Sequence, residues 1–334
     1  MNLEPRRSGD PGAGTVLVLT EPGDTTADLV VTELAGRGAR VFRMDTGDFP
    51  LTVGVSAWFD GTWHGEIHSP DGTLDLRDVR GVYCRRPTAF TFPSSMTDAE
   101  RRFAAREARR GIGGLLMSLP CGWVNHPSRV ADAEYKPYQY TVAAACGLEV
   151  PRTVITNIPD DADQHAAHLG GEVVYKTLAS ATIPDGDRVK LIYTTAVTAA
   201  DMADSRVALT AHQFQQRVPK QRDVRAIVVG DRVYAVNILV DDTTQAAGGL
   251  LDWRADYDAL LYEPTTLPRQ VEAGLLRMTD RLGLSFAASD FLVGPDGRHV
   301  FVDLNPNGQW GWIQDATGLP IAAALATELL GEDL

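Results

Sequence analysis

The segment Phe301-Val302-Asp303-Leu304-Asn305-Pro306-Asn307-Gly308-Gln309-Trp310 constrains this chain more than any other. Val300 and Val302 share one face of the run and Asp303 and Asn305 the other, the period of a half-buried strand. Upstream, Ser289-Asp290-Phe291-Leu292-Val293 is a second strand-like run with its own carboxylate. Gly294-Pro295-Asp296-Gly297 between them reads as a hairpin turn. Closing that hairpin lets Asp290, Asp303 and Asn305 converge. Three hard oxygen donors suit Mg²⁺, which keeps its other positions for water and phosphate oxygens. Taken alone, the same residues equally describe a charged hairpin face in water.

A chain of 334 residues has room for two or three packed units, and its net charge of −13 argues against general binding to nucleic acid or a membrane surface. An acidic substrate would need a local basic cluster to overcome that field. Cys84, Cys121 and Cys146 are odd in number and lack metal-ligand spacing, which reads as reduced thiols in a cytoplasmic protein. Residues 1–14 hold Pro, Gly, Arg and Asp without an apolar stretch, a loose tail and not a signal peptide. No run approaches the length of a membrane span.

From Thr15 the chain reads β–α–β. Thr15–Thr20 is a buried strand, Asp24 caps a helix through Leu29, Val30 and Leu34 that stops at Gly36 and Gly38, and Val41–Met44 is the next strand. Gly36-Arg37-Gly38 ends a helix and does not open one, so it is no dinucleotide fingerprint. Short antiparallel strands are expected around the Asp60-Gly61 and Asp71-Gly72 turns. Strand Val79–Cys84 runs into Arg85-Arg86-Pro87, two guanidiniums where open α/β sheets place ligands; they are either a solvated pair or a contact for a carboxylate or phosphate. Asp98 to Leu119 is a long helix with Phe103, Ala104, Ile112 and Leu115 inward.

Next come a short strand Trp123–Asn125 and a helix that Ser128 can cap. It carries Lys136, and Pro137 right after marks a break or kink. Glu172–Lys176 is a strand with a lysine near its end. The loop Thr177–Arg188 is a flexible segment able to close over phosphates. Gln213–Pro219 leads into strand Asp223–Val229, the Gly230-Asp231 turn and a return strand to Val240, with Lys220, Arg222 and Arg225 at the entrance. Trp253-Arg254 follows a glycine-rich loop, Ala246–Gly249.

In this order the pieces resemble an ATP-grasp ligase near the RimK-type peptide ligases and glutathione synthases. The resemblance rests on Lys136, Lys176, the Gln-Gln-Arg-Val hinge, Asp-Val-Arg, Trp-Arg, Asp290 and Asp-Leu-Asn-Pro, and covers about Trp123 to Leu330. It implies an α/β (α+β) ATP-grasp fold behind an N-terminal Rossmann-like pre-ATP-grasp domain. The implied boundaries are a tail over 1–14, the pre-ATP-grasp domain over 15–122 and the ATP-grasp domain over 123–334. The last would divide into a central lid of about 150–218 and a C-terminal part of about 219–334. Arg85-Arg86-Pro87, Asp223-Val224-Arg225, Asp252-Trp253-Arg254 and the Asp303–Trp310 segment are most similar to graspetide maturases. Those enzymes join Asp or Glu side chains to Thr, Ser or Lys side chains of ribosomal peptides as ω-esters or ω-amides.

The resemblance implies ATP and Mg²⁺ as cofactors, with Lys136 and Lys176 on the nucleotide phosphates and the hinge Gln215, Gln216, Arg217 and Val218 at adenine. Asp290, Asp303 and Asn305 would hold the metal. Asp303 is shorter than the Glu common in such sites and matches the graspetide pattern. Arg225 would take the transferred phosphoryl group and Arg254 that group or the substrate carboxylate, a planar fork suiting both. Asp223 would act as a general base or orient Arg225. Arg85, Arg86, Trp253, Gln309 and Trp310 would touch the peptide; Trp310 and Trp312 either wall it or pack a helix start. The partner implied is a precursor peptide, a leader plus an acidic, Thr-rich core, with the leader docked on the first domain or on the Glu100–Arg110 helix. No nucleic acid and no membrane is expected, and a homodimer or tetramer is. The alternatives are a ligase that adds an amino acid or amine to a separate carboxylate, and a non-catalytic, nucleotide-dependent peptide-binding module.

Overall fold

Six consecutive buried residues make β1 (Thr15–Thr20) the centre of the first sheet. Asp24 follows as the N-cap of α1 (Thr25–Gly36), its carboxylate accepting from the Thr26 and Ala27 backbones. Then come β2 (Arg40–Met44), an antiparallel meander of β3 (Gly54–Phe59), β4 (Trp63–Ser69) and β5 (Gly72–Asp75), and β6 (Val79–Arg86). Thr97 and Glu100 form a capping box on α2 (Asp98–Met117), which leads to β7 (Gly122–Val124). The sheet order is β2-β1-β6-β7, all parallel, over a core that includes Leu17, Ile67, Val82, Leu115 and Trp123.

The structure is a computed structural model that describes residues 14–179, 182–185, 188–241, 244 and 250–332, and the chain divides into two compact units. The elements so far belong to the first. Helix α3 (Pro127–Ala133) spans the boundary, and α4 (Lys136–Ala145) begins the second. The break before Pro137 is where the sequence puts it, with Lys136 the first residue of α4. Ser128 lies inside the first turn of α3 and bonds the His126 ring, so it is no N-cap.

In the second unit β8 (Thr153–Thr156), α5 (Ala162–Leu169), β9 (Val173–Lys176), β12 (Thr195–Val197), α6 (Ala199–Met202) and β13 (His212–Gln216) build a four-stranded antiparallel sheet, order β12-β9-β13-β8. Leu169, Met202 and Phe214 fill its core. Strands β10 (Thr182–Asp185) and β11 (Arg188–Leu191) pair separately; β10 lies inside the stretch expected to be loop and β11 begins at its last residue. A second sheet holds β14 (Arg222–Val229), β15 (Arg232–Val240), β16 (Leu260–Thr265), β17 (Phe286–Val293) and β18 (His299–Asn305), in the order β16-β15-β14-β17-β18. Helix α7 (Arg269–Leu282) buries Leu275, Met278 and Leu282 and lies against α4.

After β18 the chain returns to the first unit as α8 (Gly311–Thr317) and α9 (Ile321–Leu330). There a Cβ on Gly81 would meet the Leu329 carbonyl at 2.4 Å, so β6 can take α9 this close only through a glycine. The division therefore differs from one boundary at 122/123: it falls at Val130, and residues from Pro306 onward rejoin the first unit. Phe103, expected inward, is 59% exposed. Together with Phe49, Phe92 and Met96 it lines an apolar groove beside α2. No helix among the described residues is long and apolar enough to cross a membrane. The expected tail and the Ala246–Gly249 loop lie outside the described residues, apart from Gly14.

Candidate functional site

The β17–β18 hairpin forms as its sequence suggests, with Asp290 directly opposite Asp303 and Ala288 opposite Asn305. The ladder then slips: Phe291 pairs with Phe301, leaving Val302 as a bulge. This resolves a conflict that simple alternation hides. Unbroken period two would put Phe301 on the same face as Asp303. The bulge turns Phe301 into the core, edge-to-face on Phe291 at 5.8 Å, while Asp303 keeps its place across from Asp290. The Val302 carbonyl accepts from Lys176 Nζ at 3.5 Å, a long contact.

Like charges directly opposite on two strands repel. Here each has its own cation. Arg225 Nη1 lies 2.9 Å from Asp290 Oδ1, with both side chains nearly buried. Lys136 Nζ pairs with Asp303 Oδ1. Burial pushes the Asp303 carboxyl upward, but the Lys136 and Lys176 charges outweigh it and hold it at about 2. Burial drives Lys176 down to about 8, less than wholly offset by Asp303. Lys136 is raised, its burial more than repaid by Asp303.

Asp290, Asp303 and Lys176 line a cleft of about 200 Å³ within the second unit, between β9 and β13 on one side and β14, β17 and β18 on the other, with Arg225 and Lys136 behind the two carboxylates as their partners. Five Lys or Arg residues and four Asp line it, a local excess of positive charge in a chain of −13. Gln215, Gln216, Arg217 and Val218 form one wall. Gln215 donates to Thr153 Oγ1, Gln216 accepts from Arg152 Nε, and Arg217 pairs with Glu172. The Gln216 and Arg217 backbone N–H groups are engaged by the carbonyls of Arg152 and Glu172.

Asp252, mostly buried, accepts from Arg254 Nε at 2.9 Å and from the Thr194 backbone at 3.1 Å, tying Arg254 to the segment that enters β12. Burial lowers the Arg254 pKa, while Asp252 and Asp290 more than restore it, and the net direction is up. Trp253 is buried edge-to-face on Tyr257 with the Arg254 guanidinium over its ring. Asp223 takes Lys220 Nζ at 2.6 Å, and Arg225 donates to Asp290 at 2.9 Å. Burial raises Asp223 to about 6 despite Lys220.

The other expected peptide contacts lie in the first unit. Arg85 is 4% exposed, pairs with Asp24 at 2.8 Å and donates to Gln309 Oε1. Neither a solvated pair nor a free anion contact describes it. Arg86 is exposed. Gln309 also accepts from Thr26 Oγ1 at 3.1 Å. Trp310 has no exposed surface, which leaves packing at the start of α8 and not a peptide wall. Trp312 is half-buried.

The sequence points to Lys220 at the entrance of β14 but not to its pairing with Asp223, and reading it missed Gln139 and the Thr194 tie. Gln139 bonds both backbone groups of Leu304, between Asp303 and Asn305. Its signal is a glutamine three residues after Lys136, on the same helix face. Among the described residues no group of three or more His, Cys, Asp or Glu can hold a metal. The donor set is two carboxylates and a carboxamide, hard oxygens that suit Mg²⁺ once phosphates supply the other positions.

Residues 15–131 match the MvdD pre-ATP-grasp domain. No curated protein matches the chain. Among solved structures it is similar to the macrocyclase MdnC from Microcystis aeruginosa, bound with precursor peptide MdnA: 28% identity, 95% of this chain and 100% of that one, TM-score 0.82. It is also similar to a RiPP-associated ATP-grasp ligase from Chryseobacterium gregarium, in complex with ADP and a leader and core peptide, at 25% identity over 96% and 98% of the two chains, TM-score 0.87. The macrocyclase MdnB from Microcystis aeruginosa matches at 28% identity over 95% and 99%, TM-score 0.78.

Proposed function

We propose that this chain, an ATP-grasp ligase with an MvdD-type pre-ATP-grasp domain, is an ATP-dependent macrocyclase of a ribosomally made peptide. The observation that carries the reading is the cation-rich cleft, with Asp290 opposite Asp303 and Arg225, Arg254, Lys136 and Lys176 around them. The likeness to peptide-bound ATP-grasp enzymes over nearly the whole chain supports it.

A carboxylate and a hydroxyl do not condense in neutral water, because hydroxide is a poor leaving group. In the proposed reaction an Asp or Glu oxygen of the peptide attacks the γ-phosphorus of ATP and ADP leaves. A Thr or Ser hydroxyl, or a Lys amine, then attacks the acyl carbon. It loses its proton, and inorganic phosphate departs with the former carboxylate oxygen. The enzyme's part is positioning and neutralising charge. Mg²⁺ held by Asp290, Asp303 and Asn305 would neutralise the β- and γ-phosphates. Lys136 and Lys176 give the phosphates their cations, and the hinge borders the adenine. Arg225 and Arg254 cradle the transferred phosphoryl group. Asp223, with a pKa of about 6, would accept the acceptor's proton, and its pairing with Lys220 supports that role over one of orienting Arg225. We further propose a cytoplasmic enzyme, acting as a homodimer or tetramer on a leader-bearing peptide, with Arg86, Trp253 and Gln309 on the peptide's path.

Mass spectrometry of an Asp/Glu- and Thr-containing peptide encoded beside this chain, incubated with protein, ATP and Mg²⁺, tests the reading. Loss of one water per link from a single peptide is expected. Gain of a residue mass would replace the macrocyclase with an intermolecular ligase. ADP binding without phosphate release above background would make it a binding module.

A further inference from the structure

Strand β18 is the outer strand of its sheet, and beyond the single parallel bridge from Glu149 at Val300 and Phe301 the outer side of its backbone has no strand beside it among the described residues. A buried peptide left unpaired there would be costly. Leu304 is 2% exposed, and α4 answers its backbone. The Leu304 N–H donates to Gln139 Oε1 at 3.1 Å, and Gln139 Nε2 donates to the Leu304 carbonyl at 2.8 Å. A carboxamide carries the same donor and acceptor as a peptide group, so Gln139 stands in for one residue of a missing strand. Its second N–H goes to the Ala133 carbonyl at 2.6 Å. The flipped amide would set its oxygen against two carbonyls, so the hydrogen-bond network fixes the orientation.

Leu304 separates Asp303 from Asn305. On its other side β18 carries the Val302 bulge, where the ladder to β17 slips. A one-residue slip moves every side chain of a strand to the opposite face. The pairing is therefore weakest one residue before Asp303, and Gln139 adds two hydrogen bonds one residue after it. Lys136, one helical turn earlier, takes the Asp303 carboxylate itself. Helix α4 thus holds the strand twice, once by side chain and once by backbone.

We infer that Gln139 is a positioning residue for the Mg²⁺–nucleotide site, fixing the Leu304 peptide so that Asp303 and Asn305 present their oxygens together. It does not border the cleft. The inference rests on the nucleotide reading of that cleft.

The test uses the full chain and ADP, titrated with Mg²⁺ and followed by calorimetry, together with thermal denaturation. Gln139→Glu keeps the shape and the acceptor for the Leu304 N–H but sets an oxygen against two carbonyls. The Mg²⁺ concentration needed for half-maximal ADP binding should rise about 10- to 100-fold, the range for residues that orient metal ligands, while metal-free ADP binding stays within about twofold. Gln139→Met, uncharged, should show the same split. Leu34→Ala, a core substitution in the first unit, controls for lost stability and should leave Mg²⁺ dependence unchanged. Wild-type Mg²⁺ dependence in both Gln139 variants, or the same shift in Leu34→Ala, would overturn the inference. So would failure of both Gln139 variants to fold, which would make the residue a requirement of the fold. If the wild type binds ADP without regard to Mg²⁺, the metal part of that reading fails, and if it binds no ADP the nucleotide reading itself fails.

Discussion

Among the buried ion pairs of the described residues, one from each unit shows how the surroundings differ. Arg85 and Asp24 in the first unit have side chains 2% and 4% exposed. Asp24 also accepts from Thr20 Oγ1 and two backbone N–H groups, and Arg85 also donates to Gly308 and Gln309. Protein groups surround both charges, and the network closes on itself. Lys136 and Asp303 in the second unit are more open, at 12% and 20%. They stand beside a cleft with further cations, among them Lys176 and Arg254. Burial alone does not mark a reactive site. What sets the open pair apart is the cleft beside it and the further cations that line it.

The largest effects should come from breaking the open pair. Asp303→Ala should bring peptide-dependent phosphate release to background with the fold intact by circular dichroism; undiminished product would remove Asp303 from the metal set. Arg225→Lys keeps the charge and loses the planar fork, and should lower kcat by about 10³-fold, the lower end for losing an arginine from a phosphoryl-transfer site. Breaking the closed pair should do the opposite. Arg85→Ala leaves the buried Asp24 carboxylate without its counter-charge, which costs about 3–5 kcal/mol and should lower Tm by about 10 °C. The KM for ATP of the protein that remains folded should stay near wild type. A large KM change at unaltered Tm would mean that Arg85 meets a ligand after all.

The contrast also explains what the sequence could reveal. The turn at Gly294–Gly297, the strand at Thr15, the Asp24 cap and the break at Pro137 all follow from local rules, and each forms where those rules put it. Lys176, Gln215, Arg254, Asp290 and Asp303 stand out in the sequence as polar residues in or beside apolar runs, and all of them line the cleft. Their pairing was not legible. Arg85 and Arg86 look alike as letters, and only the packing of Gln309 and Asp24 around one of them decides that it is closed off. The β18 bulge was hidden because it depends on which aromatic fits the core, and Gln139 because its partner lies 165 residues away. The return of α8 and α9 to the first unit is a long-range packing choice, with Gly81 its one local trace.

A smaller effect concerns protonation of the open site. Lys176 has a folded pKa of about 8 against 10.5 for the free side chain, because burial disfavours its ammonium. Between those values the unfolded chain holds a proton that the folded chain has released. The protein without nucleotide should therefore gain stability as pH rises through about 8 to 10.5, and below 8 the cost of burying the charge is at its full value. Binding to phosphates needs the charged form, so ADP affinity should fall above pH 8, approaching about tenfold per pH unit. Lys176→Arg stays charged and should flatten both profiles. An unchanged pH profile in that variant would show that another group controls the transition.

The smallest expected effect separates two neighbours. Arg85 and Arg86 follow each other on β6, so their side chains point to opposite faces, and only Arg86 is exposed. An exposed arginine contributes to an anionic partner about what a surface ion pair does, 0.2–1 kcal/mol, and reversal roughly doubles that. Arg86→Glu should then raise the KM for an acidic precursor peptide a few fold, leaving the KM for ATP and the Tm unchanged. Added salt should shrink the difference, since exposed charges are screened within about 8–10 Å. If both KM values rise together, Arg86 acts on the nucleotide and not on the peptide. If neither moves, the peptide's path avoids this face of the first unit, and the cations that attract it are those of the cleft alone.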